Sequence, residues 1–249
     1  SIFLIIAAVL VMAGFQNCRQ KASKKNTDTF MAGTTNILVD ESLAPIIDEE
    51  AYVFTSLYPK AKPKLLYRSE NEALNLLLND SITFAILARD LTPQEKKAME
   101  AHTLPAGVNK FAHDAVAIIV NQASADTTIT VSQIRAMLNG RSKTDKNIVF
   151  DNPNSSLVRY LKQLAGAVTM DAKNIYALKS NKEVIRYVSQ HPQAIGIVGF
   201  SWLNDSDSDY ADAVKKVKIV GVKDDGNKND TGFTKPSQET LSLKTYPLS

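Results

Sequence analysis

Short apolar runs of strand length alternate with helix-length segments from residue 33 to residue 222, and that alternation confines the chain to α/β architectures. Residues 36–39 (NILV), 64–67, 82–87, 115–120 (AVAIIV), 148–150, 194–198 (AIGIV) and 217–222 (VKIVGV) read as strands. Helices are expected over 40–58, 70–78, from 92 onward, and over 130–138, 155–164 and 182–189. Their starts carry the usual signals. Asp40 and Ser42 are capping candidates with Pro45 in the first turn, and Ser69 is an N-cap. Thr92 precedes Pro93 and Glu95 in a near capping box. Strands joined through helices run parallel. Residues 223–240, rich in Lys, Asp, Asn and Gly, read as an exposed loop.

The charge is uneven, and this narrows the range of partners. Residues 1–18 carry none, and residues 19–32 carry Arg19, Lys21, Lys24 and Lys25 against Asp28. The body, 33–249, has equal numbers of basic and acidic residues, so the formal +3 belongs to a short segment. A broad basic face for nucleic acid is therefore excluded. Residues 2–15 (IFLIIAAVLVMAGF) form an apolar run of fourteen, too short for a bilayer span of about 20 residues. It has the composition of a signal-peptide core. The only cysteine, Cys18, stands three residues beyond it. That placement resembles the lipid-attachment cysteine of bacterial lipoproteins, so residues 1–18 are expected to be a signal peptide with lipobox. Residues 19–32 are expected to be a flexible tether in the cell envelope. A single cysteine excludes disulfides within the body.

Three helices start on serine-bearing turns directly after a strand: VDES (39–42), YRSE (67–70) and FDNPNSS (150–156). A helix start presents unpaired N–H groups and partial positive charge, and several converging on one cleft make an anion site. Arg89, after the strand at 82–87, adds a guanidinium. Other chemistries find less support. His102, His113 and His191 show neither HxxxH nor HxH spacing, so no zinc site is expected. Asp205, Asp207 and Asp209 imitate the start of a calcium loop, but Tyr210 and Lys216 stand where its glycine and glutamate belong. A hydrolase using Ser155 or Ser156 with His113 or His191 would lack a GxSxG elbow, and no phosphate-binding Walker loop or GxGxxG is present. Neither a catalytic centre nor a cofactor is expected. Trp202 reads as core or cleft wall.

The stretches GTTNILVDESLAPII (33–47), FAILARDLTPQE (84–95), AHDAVAIIVN (112–121), ITVSQIRAMLNG (129–140), FDNPNSSLVRYL (150–161) and AIGIVGFSWL (194–203) occur in that order. Together they resemble the substrate-binding lipoproteins of phosphate-type ABC transporters. The resemblance implies a type II periplasmic-binding-protein fold, two α/β lobes joined by two crossover segments. It places lobe 1 at 33–112 plus 200–249 and lobe 2 at 113–199. Residues near 112–114 and 198–200 would then be hinge strands, with Gly196 and Gly199 easing the bend. The ending TYPLS (245–249) resembles a family segment normally followed by further residues of lobe 1.

By the same resemblance, the first anion-binding turn falls on Ser42 and Leu43 and the second on Ser69. The third falls on Asp151, Ser155 and Ser156, with Asp151 where the family has an Arg and Leu157 where it has a Thr. Arg89 falls where a classical phosphate binder keeps an Asp. A buried Asp accepts a hydrogen bond only from a protonated oxyanion, which would favour hydrogen phosphate over sulfate if Asp151 faces the ligand. The implied function is capture of phosphate or a related oxyanion for an ABC permease, without bond chemistry, by a protein held to the membrane through Cys18. The competing expectation is a sensory or scaffolding envelope lipoprotein that keeps the fold without tight anion binding.

Overall fold

The computed structural model describes residues 29, 31–102, 107–142, 144–166, 170, 172–205, 209–230 and 232–249. The expected signal peptide, the attachment Cys18, most of the tether and Asp207 lie outside the described residues.

Three strands form the first sheet: β1 (Gly33–Asp40), β2 (Ala61–Arg68) and β3 (Ala85–Ile86), in parallel order β2-β1-β3. A short 3-10 turn, Glu41–Leu43, leads from β1 into α1 (Ala44–Leu57). Helix α2 (Glu70–Leu78) follows β2, with the expected bounds and Ser69 at its N-cap. Helix α3 (Pro93–His102) starts at the expected proline. The core of this lobe is small. Leu74, Leu77 and Leu91 form one cluster, and Leu38 and Val39 are fully buried in β1.

The second sheet holds most of the apolar mass. It contains β4 (Val116–Asn121), β6 (Asn147–Phe150), β7 (Ile175–Ala177), β8 (Ala194–Gly199) and β9 (Val217–Ile219), in order β7-β6-β8-β4-β9. Strands β6, β7 and β8 are parallel, whereas β4 runs antiparallel to β8 and β9. Successive strand side chains point to opposite faces, and helices cover both faces here. Ile118 and Val120 of β4, with Ile195 and Ile197 of β8, therefore pack beneath α4 (Val131–Leu138) and α5 (Ser156–Ala165). Ala117, Ile119 and Val198 pack beneath α6 (Asn181–Gln190) through Val184, Ile185 and Val188.

Gly196 sits in this second contact and not in a hinge. A Cβ there would lie 2.7 Å from Val188 Cγ2, 2.8 Å from Ile119 Cγ1 and 3.0 Å from Val184 Cγ1. The expectation that Gly196 eases a bend gives way to a packing role, in which the missing side chain lets α6 approach β8. Gly196→Ala is expected to cost about 1–3 kcal/mol through overpacking, read as a lower urea midpoint at unchanged slope. An unchanged midpoint would remove this role.

The expected assignment of 200–249 to the first lobe differs from the structure. The run 217–222 is not one strand. It divides at Val220 into β9, antiparallel to β4, and β10 (Gly221–Lys223), parallel to β5 (Thr128–Thr130). Near the end of the chain, Leu248 accepts a backbone hydrogen bond from Val116 N (2.9 Å), and Tyr246 Oη donates to Val116 O (2.8 Å). Tyr246 and Leu248, both nearly fully buried, complete the core under α4 and α5. The larger apolar face of the second sheet draws these residues in. Two short helices, α7 (Ala211–Val214) and α8 (Gln238–Ser242), lie along this return.

The lobes meet where β4 begins and β8 ends. Val116 pairs with Gly199, and Asp114 accepts from Ser201 N (3.2 Å) and Ser201 Oγ (2.7 Å). A 3-10 turn, Phe200–Leu203, then carries Trp202 back to the first lobe, where Nε1 donates to the Ser42 carbonyl at 2.8 Å.

Candidate functional site

Open α/β sheets place ligands beyond the carboxyl ends of their parallel strands. Here β1 ends on Asp40, β2 on Arg68 and β6 on Phe150, and each is followed by one of the serine turns noted in the sequence. Asp40 accepts from Ser42 N (3.0 Å) and fixes the first turn. In the third turn Ser155 caps α5 by accepting from Val158 N (3.1 Å). Ser155 Oγ also donates to Asp151 Oδ1 at 2.6 Å.

The first and third turns meet across the cleft, where the Oγ atoms of Ser42 and Ser156 lie 2.8 Å apart. Around this contact Asn152 Nδ2 donates to Glu41 Oε1 (3.1 Å), and Asn71 N reaches the Asn154 carbonyl (3.4 Å). Arg159 Nε of α5 donates to Glu70 Oε1 of α2 at 2.7 Å.

Ser42, Leu43, Arg89 and Ser156, drawn from both lobes, line a cavity of about 670 Å³ together with Arg159 and Lys110. Ser155 lines an adjoining recess beside Asn71 and Arg159. Ser69 is buried at the start of α2 and lines neither. Asp151 lies behind the cavity. Its Oδ1 is taken by Ser155 and its Oδ2 by Asn181 Nδ2 at 3.0 Å. Asn181 Oδ1 in turn accepts from Gly199 N (3.0 Å), so Asp151 braces the third turn against the hinge. Each of its oxygens has a bond within the protein, and Asp151 lines a smaller recess beside Glu41, Tyr67 and Trp202 rather than the cavity lined by Ser42 and Ser156.

Arg89 reaches the cavity wall with little donating capacity left. A guanidinium has five N–H donors. Arg89 spends four, on Glu70 Oε1, the Asp90 carbonyl and both Glu95 oxygens, at 2.7–3.3 Å. It holds the Glu95 carboxyl down to about 2. Arg159 was not singled out in the sequence. Its spacing from Ser155, one helical turn, carried the signal. It spends two donors, Nε on Glu70 Oε1 and NH1 on Gln163 Oε1 (3.1 Å). Two acids lie beneath the turns: Asp40, which caps the first turn as the sequence suggested, and Glu70, which the sequence did not mark as a site residue. Asp40 and Glu70 are essentially fully buried, and Asp40 Oδ2 and Glu70 Oε2 have no hydrogen-bond partner among the described residues.

Burial raises the carboxyls of Asp40, Glu41 and Asp151. Asp151 is pushed up to about 7, chiefly by burial and further by the charges of Glu41 and Asp40, with Ser155 and Asn181 opposing. A raised carboxyl favours the folded state when protonated. Its contribution is therefore lost as pH rises from the ordinary carboxylate range through about 7. Thermal stability is expected to fall over that window, and Asp151→Asn is expected to flatten part of the decline. A melting temperature with the same pH slope in both proteins would contradict this.

Neither Ser155 nor Ser156 has a histidine among its hydrogen-bond partners in the described residues. Ser155 serves Asp151 and Ser156 meets Ser42, while His191 Nδ1 contacts the Tyr187 carbonyl at 2.7 Å. Among the described residues no three His, Cys, Asp or Glu side chains gather to hold a metal ion. No described helix is long and apolar enough to cross a membrane.

Residues 24–249 match the PBP superfamily domain. The chain belongs to the PBP superfamily. Its fold is that of type II periplasmic binding proteins, two α/β lobes around a cleft. Among curated relatives, the phosphate-binding protein PstS of Borreliella burgdorferi is 24% identical over 261 residues, covering 98% of this chain and 83% of that one. PstS of Staphylococcus aureus strain USA300 is 23% identical over 220 residues and covers 84% of this chain. This chain spans 63% of that relative's length. These relatives of the PBP superfamily are binding proteins and not enzymes. Solved structures agree on the fold. A candidate phosphate ABC transporter substrate-binding protein from Clostridium perfringens, with bound phosphate, superposes at TM-score 0.67 and 18% identity. That match covers 87% of this chain and 83% of that one. An ABC-type phosphate transport receptor from Vibrio cholerae gives 0.58 and 19%, with the same coverage. The regulatory domain of Synechocystis CcmR, in complex with 2-PG, gives 0.54 and 12%, covering 86% of this chain and 95% of that one.

Proposed function

We propose that this protein captures phosphate or a related oxyanion between its lobes and delivers it to an ABC permease. The observation that carries the reading is the meeting of Ser42 and Ser156 across the cleft, with Arg159 beside them. Each serine stands at a helix start on a different lobe, where N–H groups and hydroxyls suit an anion. A ligand between them would draw both lobes into one set of hydrogen bonds, so that binding and closure are linked. Arg89 lines the same cavity from the first lobe. The names of the curated relatives and of two superposed structures point to phosphate. Cys18 behind the apolar run fits a lipid anchor that keeps the protein on the outer side of the membrane, near the permease.

Calorimetric titration with phosphate, arsenate and sulfate tests the reading. Saturable binding of phosphate at one site per chain supports it. No binding of any of the three would favour the alternative of a sensory or scaffolding lipoprotein. The observation favouring that alternative is the engagement of Arg89 by Glu95 and Glu70, which neutralises a cation the cleft would otherwise offer.

A further inference from the structure

Glu70 is the first residue of α2, at the second serine turn. Its carboxylate does not face solvent, with the side chain only 2% exposed. One oxygen, Oε1, accepts from Arg159 Nε at 2.7 Å and from Arg89 Nε at 3.3 Å. Arg89 follows β3 on the first lobe, and Arg159 lies on α5 of the second. Both line the same cavity. A single buried carboxylate thus bridges guanidinium groups from the two lobes, as an oxyanion in the cleft would. Its other oxygen, Oε2, is buried with no hydrogen-bond partner among the described residues. An acceptor in that condition carries a desolvation cost that a simple surface ion pair does not.

We infer that Glu70 is a tethered internal anion that holds the lobes together through Arg159 and competes with the external oxyanion for that guanidinium. The inference builds on the phosphate reading and adds an affinity-setting residue to it. Neighbouring contacts reinforce the same closed arrangement. Ser42 meets Ser156, Glu41 meets Asn152, and Asn71 meets Asn154. The competition is electrostatic as well as geometric. Asp40 at the end of β1, Glu41 in the turn that follows it and Asp151 just beyond β6 add further acidic groups near the turns, while Arg89 and Arg159 are the guanidiniums bonded to Glu70. An incoming anion must take over Arg159 or bind with Glu70 still against it. When a closed, self-satisfied form dominates, apparent affinity falls by the fraction of chains competent to bind.

Glu70→Gln tests this directly, because it keeps the side-chain shape and removes the charge. Phosphate is expected to bind the variant about tenfold more tightly than the wild type, the factor returned if about a tenth of wild-type chains are competent. A second arm needs no ligand. Spin labels on Tyr52→Cys and Tyr176→Cys, in a Cys18→Ser background, report the distance between α1 and β7. Both native side chains are exposed. The Glu70→Gln change is expected to raise a longer-distance population from about a tenth of the unsubstituted chains to the majority. Weaker or unchanged phosphate affinity together with an unchanged distance distribution would overturn the inference and make Glu70 a brace for the two arginines. If neither protein binds phosphate, the phosphate reading falls, and the distance arm alone decides whether Glu70 holds the lobes.

Discussion

Arg159→Ala is expected to weaken phosphate binding roughly 10- to 150-fold, the range for losing hydrogen bonds to a charged group at about 1.5–3 kcal/mol. Arg159 projects from the first turn after Ser155 and Ser156 into the cavity wall, and its guanidinium is less committed to other acceptors than that of Arg89. Arg89→Ala is accordingly expected to have the smaller effect, since four of its donors already serve Glu70, Asp90 and Glu95. Arg159→Lys should recover only part of the loss, because an ammonium cannot offer two parallel N–H bonds. Removing Arg159 also takes the nearer cation from buried Glu70, so the comparison belongs at a temperature where each variant is folded. Titrations at matched ionic strength check the order. A greater loss at Arg89 than at Arg159 would reverse this account of which arginine serves the ligand.

Trp202→Ala is expected to destabilise the protein by about 3–5 kcal/mol, the usual cost of emptying a buried aromatic site. Trp202 is nearly buried in the cluster between β4, β8 and α6, with Tyr210 at 6.1 Å between ring centroids. The same ring ties the second lobe to the first through Nε1 and the Ser42 carbonyl. The loss should therefore appear in phosphate affinity as well as in stability, because the Ser42 turn loses its support. Trp202→Phe keeps most of the apolar contact and leaves that carbonyl without its donor, for an expected cost of about 1–3 kcal/mol. Urea unfolding of the three proteins gives the ordering. A change below about 1 kcal/mol for Trp202→Ala would show that the ring is not part of the packed core.

Where local signals and packing agreed, the fold was legible in the residues. Helix α2 has its expected bounds because Ser69 caps it and Leu74 and Leu77 turn inward. The run AVAIIV read as a strand, and in β4 Ile118 and Ile119 face opposite helical layers. Short strands were not legible. Strand β5 is three residues, TIT, and β7 is three residues with Tyr176 exposed, so neither carries enough alternation to be read. The division of 217–222 and the docking of Tyr246 and Leu248 depend on tertiary contacts with β4 and β5, to which local periodicity is blind. The site divides in the same way. Serine turns are local features, and Ser42 and Ser156 do converge. The link of Arg159 to Glu70 spans 89 residues of sequence and arises only when the lobes meet. Asp151 read as a group that could face the ligand, and it is buried, bonded to Ser155 and Asn181, and set on a recess apart from the cavity lined by Ser42 and Ser156.

The most direct measurement is a crystal structure determined with phosphate at a concentration that saturates the calorimetric titration. The account predicts a tetrahedral anion between the lobes, within hydrogen-bond distance of Ser42 Oγ, Ser156 Oγ and the Arg159 guanidinium. A cleft without phosphate under those conditions, or phosphate bound only away from these three groups, would contradict it.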